Sequence, residues 1–90
     1  MAPRARKLDK SVHSGGQSAF CELMVNARRT AGLTQRELAD RLHKPQSFVA
    51  KYEGGERRID VVEFLTVCQA IGVDSAKLLK ALKNAVRPDA

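Results

Sequence analysis

Helix-ending residues recur along this chain at intervals too short for anything but a set of small helices. Gly32, Pro45, Gly54-Gly55, Gly72 and Pro88 each fall just behind a stretch of apolar residues at helical spacing. Proline lacks the N–H a helix interior needs, and glycine accepts the left-handed backbone common just past a helix end. Phe20, Met24, Ala27 and Ala31, with Leu23 beside them, predict a first helix over about 17–31. Thr34 and Glu37 form a capping box that opens a second, over about 35–43, with Leu38, Ala39 and Leu42 inward. A third, 46–53, turns Val49 and Tyr52 inward. Asp60 with Glu63 opens a fourth, whose inward face reads as Val61, Phe64, Leu65, Cys68 and Ile71. Asp74 or Ser75 caps a fifth, carrying Leu78, Leu79, Leu82 and Val86 among Lys77, Lys80 and Lys83. No alternating run of β-branched residues exists to seed a sheet. The expected fold is all-α, with five short helices.

Ninety residues, 43% of them apolar, suit one domain with one small core. The expected division is a basic arm over 1–16, carrying Arg4, Arg6, Lys7 and Lys10 and ending in Ser14-Gly15-Gly16, a domain over 17–87 and a tail over 88–90. No apolar run approaches the roughly 18 residues of a membrane span, and the charged start is not read as a secretory signal. Two cysteines, Cys21 and Cys68, are too few for a disulfide scaffold and read as core thiols, which points to a reducing, cytoplasmic setting. His13 and His43 lack ligand spacing to either cysteine, so no metal is expected. No nucleophile–base–acid set or carboxylate pair suggests catalysis, and no cofactor is implied. Sixteen Lys+Arg against ten Asp+Glu give a net charge of +6, which directs attention to a polyanion partner.

Two short helices joined by a tight turn describe a helix-turn-helix, although ordinary bundles contain such pairs as well. The residue string is more specific. Arg28 through Leu42, centred on Gly32-Leu33-Thr34-Gln35-Arg36-Glu37-Leu38-Ala39, and then Pro45 through Arg58, resembles the phage repressor/Cro-type (XRE-like) helix-turn-helix family over about residues 20–80. The sequence departs from that pattern at His43, where glycine usually occupies the turn, and at Ile59, where proline is common. The resemblance implies a five-helix lambda-repressor-like DNA-binding domain with the second motif helix in the major groove.

With Val49 and Tyr52 inward, Gln46, Ser47, Ala50 and Lys51 share the outer face of that helix. Gln46 can pair with adenine and Lys51 with guanine. Ser47 suits either kind of base, and Ala50 suits a thymine methyl. A solvated polar stripe is the plainer account of the same face. The resemblance assigns Gln35 to a phosphate contact and to bracing Gln46, beside the free N–H groups at its helix start. Lys44, Arg57 and Arg58 are placed to neutralise phosphates, and each also fits a solubilising charge. The arm fits either groove-tracking or plain disorder. Phe48 reads first as cover for Tyr52 and second as a contact to a thymine methyl or sugar. Arg28 and Glu53 match the family's internal ion pair, which orients the reading helix.

The expectation is therefore a DNA-binding transcriptional regulator of bacterial or phage type, a repressor, acting at the nucleoid. It would bind double-stranded DNA as a homodimer, on half-sites about 34 Å apart. Leu79, Leu82 and Val86 exceed what a small core must bury and form the expected dimer surface. Residues 28–58 hold eight basic and four acidic groups, whereas 59–76 hold Asp60, Glu63 and Asp74 and no base, so the basic side belongs on DNA. An antitoxin with a toxin partner, a restriction-modification controller, and a protein-interaction module that has lost DNA binding are the alternatives.

Overall fold

The structure, a computed structural model, describes residues 15–86. Five helices follow in order: α1 (Gly15–Thr30), α2 (Gln35–Leu42), α3 (Gln46–Glu53), α4 (Val61–Ile71) and α5 (Ser75–Ala85), with no strand among the described residues. All five expected helices are present. α1 begins two residues early and takes in Gly15 and Gly16, which the sequence assigned to the arm. The rest of that arm and the tail lie outside the described residues.

Local chemistry sets most of these boundaries. Gly32 stands at φ 78°, and its N–H returns to the Arg29 carbonyl at 2.9 Å. Both capping boxes form: Thr34 Oγ1 accepts from the Glu37 N–H while Glu37 accepts from the Thr34 N–H, and Asp60 with Glu63 repeats the exchange. Asp74 rather than Ser75 caps α5, accepting from the Ala76 N–H at 2.9 Å. Gly72, at φ 89°, closes α4.

The core is built from Met24 and Ala27 of α1, Leu38 and Ala39 of α2, Val49 and Tyr52 of α3, and Phe64, Val67, Cys68 and Ile71 of α4. Each large member stabilises the fold by about 1.5–3 kcal/mol through burial. Phe20 adds a ring contact to Phe64, with centroids 5.8 Å apart. Arg41 of α2 donates to the Ala70 carbonyl at 2.8 Å and ties α2 to α4. The inward face of α4 differs from the expected one. Val67 completes it, whereas Val61 is 72% exposed and Leu65 is 41% exposed. Leu65 stands about 100° around the helix from Phe64 and so falls off the stripe, while Val61 sits in the overhanging first turn. Ala31, expected on the core face of α1, lies past the helix end and is exposed.

Candidate nucleic-acid interface

Three residues, His43 to Pro45, separate α2 from α3. His43 takes a left-handed conformation, φ 56° and ψ 41°, and its N–H returns to the carbonyls of Ala39 and Asp40. This is why glycine suits the position, and histidine occupies it at a strain of about 1–2 kcal/mol. Pro45 then precedes α3 in an extended conformation and supplies no side-chain cap. No acidic residue lies in the first turn of α3, so its positive end is not neutralised there.

On α3, Val49, Tyr52 and Glu53 are buried, Gln46, Ser47 and Lys51 are exposed, and Ala50 is half-buried. The eight-residue helix thus has one fixed side and one open side. The fixed side is anchored by charge as well as packing. Arg28 Nε donates to Glu53 at 2.7 Å and Nη2 to its other oxygen at 3.1 Å, with both residues buried. Arg28 Nη1 also donates to the Leu33 carbonyl at 2.7 Å, which fastens the α1–α2 loop. The hydrogen bonds from Arg28 to Glu53 push the guanidinium pKa further up. Cys21 Sγ donates to the Tyr52 carbonyl at 3.2 Å.

From Glu53 the network continues outward. Gln35 Nε2 donates to Glu53 at 2.9 Å, and Gln46 Nε2 donates to Gln35 Oε1 at 3.3 Å. Arg36, which the sequence did not single out, donates to Gln46 Oε1 at 3.3 Å. Gln35 is half-buried and faces Glu53 and Gln46.

Phe48 is half-buried and meets Tyr52 edge-on, with ring centroids 5.5 Å apart, so its packing role is present. It also carries two cations. The Arg57 guanidinium lies 4.9 Å from the ring centroid and the Lys44 ammonium 5.5 Å from it. Arg57 pairs with Glu63 at 3.0 Å and donates to the Arg58 carbonyl at 2.8 Å, so this cation already has a carboxylate partner. The Arg57 hydrogen bond holds the Glu63 carboxyl below the usual carboxylate range. The pairing spans a loop with no helical or strand period, so no sequence pattern announced it. Burial pushes both cysteine thiols up, away from nucleophilic use. Among the described residues no group of three or more His, Cys, Asp or Glu could hold a metal, and no helix is long and apolar enough to cross a membrane.

Fold and surface together define a helix-turn-helix: α2 and α3 joined by a three-residue turn, with α3 presenting a polar face. The comparisons agree. A helix-turn-helix family profile matches residues 26–78. A solved XRE-family like protein from Pseudomonas syringae pv. tomato str. DC3000 is 46% identical, with a TM-score of 0.77, over 87% of this chain and 95% of that one. The clp gene regulator ClgR from C. glutamicum shares the fold at 22% identity and a TM-score of 0.71, over 80% of this chain and 94% of that one. No curated protein matches. The chain belongs to the XRE-like helix-turn-helix family of DNA-binding transcription regulators.

Proposed function

We propose that this protein is a sequence-specific repressor that binds a two-fold operator as a homodimer, with α3 in the major groove. The observation that carries this reading is the common exposure of Gln46, Ser47 and Lys51 on a helix whose opposite side is locked into the core. Gln46 reads adenine, Lys51 guanine, Ser47 either base, and Ala50 touches a thymine methyl. Lys44, Arg57, Arg58 and the start of α2 at Gln35 meet phosphates, and Arg57 exchanges Glu63 for a phosphate when it does so.

One such domain makes few base contacts, so affinity requires a second copy. Leu79 and Leu82 of α5, with Val86 just past its end, are the proposed contact, Leu79 and Val86 being nearly half exposed and Leu82 less so. Such a regulator works in the bacterial cytoplasm, on the nucleoid. A second reading, an antitoxin or another protein-binding module, draws support from Val61 and Val62, two highly exposed apolar side chains on α4 outside that surface.

Fluorescence anisotropy on duplex DNA across a salt series tests the proposal. Log affinity should fall against log salt with a slope near −0.9 per phosphate neutralised. Gln46→Ala should cost about 1–3 kcal/mol of discrimination at one base pair, and Arg57→Ala should weaken all sequences alike. Salt-insensitive binding, or equal losses on selected and random duplexes from both variants, would overturn it.

A further inference from the structure

We infer that Glu53, buried beneath the reading surface, fixes which end of the Gln46 amide meets a base, by polarising a chain of two glutamines. This rests on the DNA-reading function proposed above. A glutamine amide has an oxygen that accepts and an NH2 that donates, and alone it presents either by a half-turn of its last torsion. A carboxylate only accepts and a guanidinium only donates. In this molecule the two amides lie between one of each. Glu53 accepts from Gln35 Nε2 at 2.9 Å, Gln35 Oε1 accepts from Gln46 Nε2 at 3.3 Å, and Gln46 Oε1 accepts from Arg36 at 3.3 Å.

Reversing Gln35 would set its oxygen against the Glu53 carboxylate and its NH2 against that of Gln46. Reversing Gln46 would set its NH2 against Arg36. Both ends of the chain therefore enforce one direction. Glu53 cannot turn away to relieve a reversal, because Arg28 holds both its oxygens, at 2.7 and 3.1 Å. If Arg36 leaves for a phosphate, the carboxylate end still sets the polarity while Gln46 Oε1 becomes available to a base.

Direction matters because the base edges differ. Adenine offers a donor at N6 beside an acceptor at N7, and guanine offers two acceptors. An amide locked with its oxygen at one place and its N–H at the next fits adenine in one register and opposes guanine. An amide free to reverse can turn its NH2 to guanine O6 and loses the distinction. Glu53 is thus a positioning residue for base choice, acting through Gln35.

Two measurements on the intact protein test this. In side-chain amide NMR of the free protein, the Gln35 NH2 protons should exchange with solvent about tenfold or more slower than those of exposed Gln69. In selection from randomised duplexes, the wild type should prefer adenine at one half-site position by about tenfold or more. Gln35→Leu breaks the chain and leaves the Arg28–Glu53 pair intact. It should bring that preference to near parity while the melting temperature moves by only a few degrees. Retained adenine preference in Gln35→Leu, or Gln35 protons exchanging as fast as those of Gln69, overturns the inference. A wild type that selects no sequence removes the DNA-reading function and the base choice with it. Selection that survives Gln35→Leu unchanged removes only the polarity chain.

Discussion

α3 and α5 are held to the molecule in opposite ways. α3 has eight residues, far fewer than an isolated helix needs, yet it buries Val49, Tyr52 and Glu53. α5 has eleven and buries none; it lies along the outside, where the methyls of Val86, just past its end, face Gly16 of α1. Length and amphipathic character would rank them the other way round. The orientation of α3 is fixed by an arginine 25 positions earlier in the chain, which grips Glu53. α5 retains partly covered leucines at the surface.

The sharpest way to break this contrast is Glu53→Ala, which strands the buried Arg28 charge. It should cost about 3–5 kcal/mol in urea unfolding, whereas Leu79→Ala on α5 should stay within about 0.5 kcal/mol in the monomer. Equal losses would abolish the distinction. His43→Gly should relieve the left-handed strain before α3, offset in part by a more flexible unfolded chain, for a net gain below about 1 kcal/mol. Tyr52→Phe removes a buried hydroxyl that has no hydrogen-bond partner among the described residues. It should raise stability by up to about 1 kcal/mol, and a loss of that size would mean the hydroxyl is bonded in solution.

The smallest effect lies at Glu63, whose carboxyl Arg57 holds below its unfolded value of 4.5. The pair's contribution is present above that pH and is lost as pH falls through the lower folded value. Both side chains are partly exposed, so the amount is under about 1 kcal/mol. Glu63→Gln should therefore melt slightly below wild type at pH 7, with the gap closing toward pH 3. A gap of constant size would mean that the ionised carboxyl gains nothing from Arg57 or from the Asp60 N–H.

How much of this was legible depended on distance along the chain. The capping boxes at Thr34–Glu37 and Asp60–Glu63 span three residues each and were read directly. The inward positions of Leu38, Ala39, Val49 and Tyr52 follow from helical period alone. The Arg28–Glu53 and Gln35–Gln46 relations came only with the family resemblance, because no period links residues 25 and 11 apart. The links from Gln35 to Glu53 and from Arg36 to Gln46 went unseen, as did the stacking of Arg57 and Lys44 on Phe48. Reading α4 from its helical spacing also puts Val61 and Leu65 in the core, whereas packing turns its buried face toward Val67.

By itself, then, the order of residues determined five helices, where most of them begin and end, and which side of α3 is apolar. Those are short-range matters of backbone hydrogen bonding and side-chain period. Tertiary structure decided which polar groups meet, because a carboxylate on α3 finds its arginine on α1 and its glutamine on α2 only once all three helices have packed together. The direction of the Gln46 amide belongs to that second category.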